Sequence, residues 1–243
     1  MLFAFLSACG GDLGPAALPQ QQTANTWEVL APGLERRVYE DERVGALIAL
    51  RVDPAQYTFR AHYTPGEARR VGEWQAALPE AVAFINSNFY DPDNRVLGLL
   101  VADSVVYGQA YRNRGGLFAV QDGIPTIRAN ERAPYNGEPL EQAVQAFPML
   151  VLDGLQAYTS DAPDRTTRRT AIGQDAQGRV VLMTATAATL ESLSAFLPMT
   201  DMGLANAFNL DGGGSTMMHI APEGYTLISR DPVPAVLAIY PRT

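Results

Sequence analysis

The segment Phe208-Asn209-Leu210-Asp211-Gly212-Gly213-Gly214-Ser215-Thr216-Met217-Met218 decides how the rest of this chain is read. An apolar run over residues 205–210 meets a carboxylate, three consecutive glycines and two hydroxyl side chains. That is the pattern of a strand ending in a tight turn, with a second strand beyond it. Because glycines lack Cβ, a ligand can approach the main chain closely there, and successive N–H groups can point at one anion. Asp211 stands beside them as acid, base or hydrogen-bond acceptor. The pairing suits a charged, polyhydroxylated substrate.

Other readings of the glycine run fail. It does not spell G-x-G-x-x-G, since Met217 holds the sixth position, and it leads into an apolar stretch rather than a helix, which argues against a dinucleotide site. Gly213-Gly214-Ser215-Thr216-Met217 lacks the closing glycine of a nucleophile elbow, and His62 and His219 are the only histidines that could serve as a triad base. The chain has no lysine, which excludes both a Walker A loop and a pyridoxal Schiff base.

With 243 residues, 47% of them hydrophobic, the chain can bury a substantial core and reads as one domain over 27–243. A net charge of −8 argues against nucleic acid as a partner. Ahead of the domain, Met1-Leu2-Phe3-Ala4-Phe5-Leu6 is apolar, and Ser7-Ala8-Cys9-Gly10 resembles the lipobox of bacterial lipoproteins, with Cys9, the sole cysteine, as the lipidated residue. Residues 1–9 are thus expected to be a signal peptide. Residues 10–26 have the composition of a flexible tether, giving a membrane-anchored, extracytoplasmic protein. No other stretch approaches the ~20 apolar residues of a spanning helix.

Strand signals dominate the remainder. Strands are expected over 44–52 and 57–63, and the continuous apolar run 81–85 reads as a central strand buried on both faces. Asp122-Gly123 and Asp153-Gly154 mark two-residue hairpins, and Gly178 a longer hairpin loop before Val180. Helices are expected over 67–78 and over 189–197, the latter with Thr189 as N-cap and Pro198 ending it. Further strands follow over 216–220, 225–229 and 235–240. Without a βαβ rhythm, the fold class is expected to be α+β, a mixed or antiparallel sheet core with a few packing helices.

Besides the glycine run, two segments carry chemistry: Phe84-Ile85-Asn86-Ser87-Asn88-Phe89-Tyr90-Asp91 and Arg168-Arg169-Thr170-Ala171-Ile172-Gly173. Each sits at a strand end, so Asn86, Arg169 and Asp211 are expected to face a common cleft. Taken together and in this order, the three segments resemble the phosphodiester glycosidase family, named for the lysosomal uncovering enzyme, which removes N-acetylglucosamine from its phosphodiester on mannose 6-phosphate. Gly98-Leu99-Leu100-Val101, Gly116-Leu117-Phe118-Ala119 and Phe147-Pro148-Met149-Leu150-Val151-Leu152-Asp153-Gly154 also fit. The resemblance runs from about residue 81 to the C-terminus.

The resemblance implies an extracytoplasmic hydrolase of a sugar-1-phosphodiester or related linkage in envelope or extracellular glycans. In such a substrate the anomeric C–O bond breaks through an oxocarbenium-like transition state, and phosphate leaves with little need of protonation. Asp211 is then the carboxylate that stabilises positive charge or activates water. Arg169 binds the phosphate, and the N–H groups of Gly212, Gly213, Gly214 and Ser215 complete its cradle. Asn86 and Asn88 bind sugar hydroxyls or an acetamido group, Phe89 or Tyr90 offers an apolar face, and Asn209 and Thr216 belong to the same substrate site. For each there is a plainer structural use: Asp211 within its own turn, Arg169 in an ion pair with Asp161, Asp164 or Asp175, Asn86 as a strand-end cap, and His219 as a strand-face histidine. Where the family motif reads Asn-Gly-Gly-Phe-Phe, this chain has Ser87 and Asn88, which implies a reshaped loop and a changed substrate. No cofactor is expected. The two alternatives are a non-catalytic surface glycan-binding protein and a phosphodiesterase using Asp211 with other carboxylates around a divalent cation.

Overall fold

The computed structural model describes residues 26–162 and 164–242. The expected signal peptide, Cys9 and all but the last residue of the tether lie outside the described residues. The strands form three sheets and one short ribbon.

The largest sheet runs, edge to edge, Glu28–Ala31, Leu34–Asp41, Gly45–Val52, Val180–Ala188, Thr167–Asp175, Leu204–Asn209, Met149–Leu152 and Leu155–Gln156. A second orders Tyr225–Leu227, Met218–Ile220, Ala83–Asn86, Ala235–Pro241 and Tyr57–Tyr63. The third orders Ile124–Ala129, Gly116–Gln121, Gln142–Ala146, Leu100–Ala102 and Val105–Tyr107. Phe89–Tyr90 pairs with Val96–Leu97 as the ribbon. Among the described residues every strand pair is antiparallel, and the α-helices are two seven-residue segments, Val71–Ala77 and Leu190–Phe196. The architecture is therefore mostly β, and the α+β expectation fits it only loosely. The helices cover outer sheet faces rather than forming a layer of their own.

Strand periodicity explains how three sheets share one core. In the central strands of the large sheet, Leu50, Ile172 and Leu182 face inward with Phe59, Ile85 and Leu237 of the second sheet and Phe118 and Val144 of the third. The intervening Ala49, Ala171, Val181 and Met183 face outward, where Leu193 and Phe196 of the second helix cover them. On the outer side of the second sheet, Trp74 of the first helix packs with Phe84, Val236 and Ala238. Fully buried, Phe208 lies so close to Gly116 of the third sheet that a Cβ there would fall 2.4 Å from its ring.

The two-residue hairpins form as read: Gln121 pairs Ile124 across Asp122 and Gly123, and Leu152 pairs Leu155 across Asp153 and Gly154. In both, the Asp and the Gly have positive φ, between 52° and 78°, as a type I′ turn requires. Thr189 caps its helix by accepting from the Ser192 N–H at 2.9 Å. The first helix is shorter than the expected 67–78, because Arg69 is drawn into a paired bridge with Val233, two N–H···O bonds of 2.9 Å, so helical geometry begins only after Arg70.

Candidate functional site

The Leu204–Asn209 strand lies between Thr167–Asp175 and Met149–Leu152 and leaves the large sheet at its C-terminal end. There the chain changes partners. Leu210 still donates its N–H to the Thr170 carbonyl (2.8 Å), whereas Asp211 donates to the Ser87 carbonyl (2.9 Å), just beyond the Ala83–Asn86 strand of the second sheet. One peptide step thus joins the two sheets and brings the three segments singled out by sequence to one place.

Asn86 holds this junction. Its side-chain N–H donates to the Asp211 carbonyl (2.6 Å), and its Oδ1 accepts from the Thr170 hydroxyl (2.9 Å) and the Met217 N–H (3.0 Å). Only 1% exposed, it binds both ends of the glycine turn to the large sheet. Its observed use is to position Asp211, as a strand-end clamp does.

Each glycine of the turn has its own reason. Gly213 has φ +63°, in the left-handed region that disfavours side chains. At Gly214 a Cβ would fall 1.8 Å from Asp231 Oδ2, and at Gly212 it would fall 3.0 Å from the Arg168 carbonyl oxygen. Residues 213–215 form a single 3-10 turn closed by Ser215 N–H to Gly212 O (3.2 Å). Among the described residues the N–H groups of Gly213 and Gly214 meet no backbone acceptor, so both remain available to an anion.

A strap over 228–233 lies on this turn. Arg230 and Asp231 donate their N–H groups to Gly214 O (2.7 and 3.1 Å), Arg168 donates to Ile228 O (2.8 Å), and Tyr90 donates its hydroxyl to Pro232 O (3.1 Å). Asp231 is thereby set beside the glycine run, a placement that sequence reading missed because its only local signal, Asp before Pro, reads as an ordinary turn.

Burial is the main reason the Asp211 carboxyl is pushed up to about 6, with the negative charge of Asp231 adding to it, while hydrogen bonds from the Ser215 hydroxyl and the Gly212 N–H oppose the rise. Ser215 Oγ also lies 3.2 Å from the Tyr90 hydroxyl. Tyr90 spends its one proton on the Pro232 carbonyl, so the single Ser215 proton serves either the Asp211 carboxylate or the Tyr90 oxygen. Burial raises the Tyr90 pKa above its ordinary value, so the phenol keeps its proton.

The other expected site residues divide by strand alternation. Arg169 belongs to the outer face with Ala171. Its guanidinium is taken up by Asp164 (3.0 and 3.2 Å), the Arg165 carbonyl (2.7 Å) and the Ala188 carbonyl (3.0 Å). Asp164 also accepts from the Leu190 N–H at the start of the second helix. The ion pair with Asp164 anticipated as the plainer use is thus what forms, while the Arg169 stem passes the glycine turn, its Cδ 3.7 Å from where a Cβ on Gly212 would stand, and Arg168 reaches Ile228 O of the strap. Phe89 turns away from Asp211 to stack on Phe147 (4.9 Å between centroids), while its neighbour Tyr90 points to Ser215. Asn88, 2% exposed, ties the ribbon to the third sheet through Leu99 O (2.9 Å) and Gln145 O (3.1 Å). Asn209 donates to Phe147 O (3.1 Å). Ser87 and Asn88 are absent from the non-glycine residues with positive φ, so the departure from two glycines is accommodated by ordinary backbone.

His219 sits on a strand face against Phe84 and bonds near Thr226 and Gln75, and His62 bonds Tyr240; neither joins the Asp211 turn. Ser87 Oγ, Asn88 Oδ1, Asn209 Oδ1 and Thr216 Oγ1, all in the converging segments, are buried without a protein partner. Among the described residues no three His, Cys, Asp or Glu side chains gather as metal ligands.

A family model described as phosphodiester glycosidase matches residues 79–240, more than half of the sequence. The chain belongs to the phosphodiester glycosidase family. Its fold is that of the catalytic domain of zebrafish N-acetylglucosamine-1-phosphodiester alpha-N-acetylglucosaminidase, auto-inhibited by its pro-peptide, with TM-score 0.65 and 19% identity over 87% of this chain and 85% of that one. A hypothetical protein from Synechocystis shares it at TM-score 0.60 and 15% identity, over 86% and 62% of the two chains. A putative exported protein from Burkholderia pseudomallei does so at 0.58 and 14%, over 86% and 74%. No curated protein matches the chain at the sequence level. The family indicates a hydrolase acting on phosphodiester-linked sugars.

Proposed function

We propose that this chain hydrolyses a sugar-1-phosphodiester in envelope or extracellular glycans by breaking the anomeric C–O bond, with Asp211 as the carboxylate. The observation that carries this reading is the joint placement of a buried carboxyl beside a glycine turn whose N–H groups are unspent. The Gly213 and Gly214 N–H groups, with Arg168, receive the phosphate. Asp211 in its ionised form stabilises the positive charge that develops at the anomeric carbon or takes a proton from water. Asn86, through its bond to the Asp211 carbonyl, and Ser215, through its hydroxyl, fix the carboxylate. Because the bond breaks to release a phosphate monoester, a weakly basic anion, no separate acid is required. Asn209 and Thr216, 3% and 0% exposed, lie beneath the site, and their side chains do not reach a substrate there.

The lipobox at Cys9 supports placement outside the cytoplasm, tethered to a membrane. The metal-dependent alternative would draw on Asp211 and its neighbour Asp231, and the glycan-binding alternative shares the same pocket. Hydrolysis of a panel of sugar-1-phosphodiesters in isotopically labelled water tests all three. Label on the sugar, turnover indifferent to chelator and abolished by Asp211→Asn, is the expected result. Label on phosphate would overturn it in favour of a phosphodiesterase, and binding without turnover in favour of a glycan-binding protein.

A further inference from the structure

The ribbon that carries Tyr90 to Ser215 has a second side. There lies a cavity of about 530 Å3 lined by Tyr63, Asp91, Arg95, Tyr107, Gln109 and Tyr111 among others, a volume within the ~300–1,000 Å3 of small-molecule sites. The rings of Tyr63 and Tyr107 meet edge to face, 5.1 Å between centroids. Tyr111 is backed by Phe147 at 5.3 Å and by the Arg114 guanidinium, 4.7 Å from its ring centre. Tyr63 is held through its hydroxyl, which accepts from the Val96 N–H (3.3 Å).

Two glycines let the walls of this cavity pack closely on one another. A Cβ on Gly98 would fall 2.6 Å from Tyr111, and one on Gly108 would fall 2.1 Å from the Gly98 carbonyl oxygen. The polar lining is equally distinctive. Asp91 spends Oδ1 on the N–H groups of Asp93 and Arg95 (2.9 Å each), which leaves Oδ2 to accept. Among the described residues the Gln109 amide and the Tyr107 hydroxyl form no hydrogen bond with the protein. Aromatic faces beside a carboxylate and a planar amide match a pyranose, which has apolar C–H faces and adjacent hydroxyls at its rim. An alkyl chain would leave those polar groups unpaired.

We propose that this groove is an accessory subsite for sugar residues of an oligosaccharide or polysaccharide substrate. Its occupant is committed by continuity with the Asp211 site. Phe89 and Tyr90 are successive residues of the ribbon, one backed by the Phe147 that also backs Tyr111, the other bonded to Ser215. The two sites therefore share one wall, and a glycan reaching past the ribbon would occupy both. The inference rests on the preceding reading only in taking the substrate to be a glycan.

The test is calorimetric titration of the Asp211→Asn chain with hexasaccharides of N-acetylglucosamine, of glucose and of mannose, and with the matching monosaccharides. At least one hexasaccharide is expected to bind at least tenfold more tightly than its monosaccharide. Tyr107→Ala, at a half-buried position, and Gln109→Ala, at an exposed one, are expected to lower that affinity at least tenfold. In the otherwise wild-type chain both should leave the hydrolysis of a methyl-capped sugar-1-phosphodiester unchanged within twofold, and Gln109→Ala should also leave the melting temperature unchanged. Hexasaccharides that bind no better than monosaccharides, or equally well in the variants, would overturn the proposal. So would concentration-dependent dimerisation abolished by Tyr107→Ala, which would give the groove to a second copy of the chain. Cleavage of the short diester without hexasaccharide binding would remove the groove and leave the Asp211 reading standing; binding through the groove without cleavage would do the reverse.

Discussion

Replacing Asp211 with asparagine is expected to abolish turnover and yet stabilise the fold above neutral pH. The carboxyl is raised from 3.8 to about 6, chiefly by burial. At ~1.4 kcal/mol for each pKa unit, ionising it in the native state costs about 3 kcal/mol more than in the unfolded chain. The sign follows from proton binding: between pH 3.8 and about 6 the native state holds more of this proton than the unfolded state, so stability falls as pH rises through that window. Below it the contribution vanishes; above it the full penalty is present. Asparagine removes the penalty but can accept only one of the two hydrogen bonds from Ser215 and Gly212, a loss of about 1 kcal/mol. The net gain near pH 7.5 is then about 2 kcal/mol, or roughly 4–8 °C in melting temperature for a domain of this size. Thermal melts of both chains from pH 4 to 7.5 read this directly: the variant should match or fall below the wild type at pH 4 and lie above it at pH 7.5. Two parallel curves would refute the reasoning, because they would mean that Asp211 titrates alike in the folded and unfolded chains.

Asn86→Ala strips partners from the Thr170 hydroxyl, the Met217 N–H and the Asp211 carbonyl together, and should cost about 3–5 kcal/mol in chemical denaturation. Arg169→Ala is expected to destabilise by about 3 kcal/mol, since it leaves the largely buried Asp164 carboxylate unpaired. Arg168→Ala should change stability by less than about 1 kcal/mol and instead raise KM for a phosphodiester, a contrast that denaturation and steady-state kinetics can both check. Gly214→Ala drives a methyl into Asp231 and should lower kcat/KM while costing about 1–3 kcal/mol of stability; replacing Asp231 with alanine in the same chain should restore most of that stability.

Much of the site was legible because its residues are punctuation as well as chemistry. Asp211 and the three glycines mark a strand end whatever their function, and the strand ends at Asn86 and Thr170 carry similar marks. What could not be read is which way each side chain points. Arg168 and Arg169 are equivalent as a pair in sequence, and only the register of their strand puts the Arg169 guanidinium on the outer face with Asp164. The same holds for Phe89 and Tyr90, which split between two sites. The strand Gln142–Ala146 escaped notice because its glutamines look solvated. In the fold Gln145 is fully buried and saturated, donating to Tyr111 O and Asn130 and accepting from the Leu99 and Tyr111 N–H groups at 2.6–3.0 Å. The helical share was overestimated at the first helix, where a tertiary bridge between Arg69 and Val233 overrides local propensity.

The pH dependence of turnover distinguishes a phosphate seated beside Asp211 from one held elsewhere. If ionised Asp211 is the working form, kcat/KM rises tenfold per pH unit on the acid side and levels off above about 6, because this parameter reports the free enzyme. The acid limb of kcat reports the same carboxyl with substrate bound. A phosphodiester carries a negative charge, which opposes ionisation of Asp211. At ~6 Å and an effective dielectric of about 20, that repulsion is about 3 kcal/mol, enough for roughly two pKa units before Arg168 offsets part of it. The limb of kcat should therefore lie about one unit above that of kcat/KM. Coincident limbs would place the phosphate well beyond the reach of Asp211, and the glycine turn would then be no cradle for it.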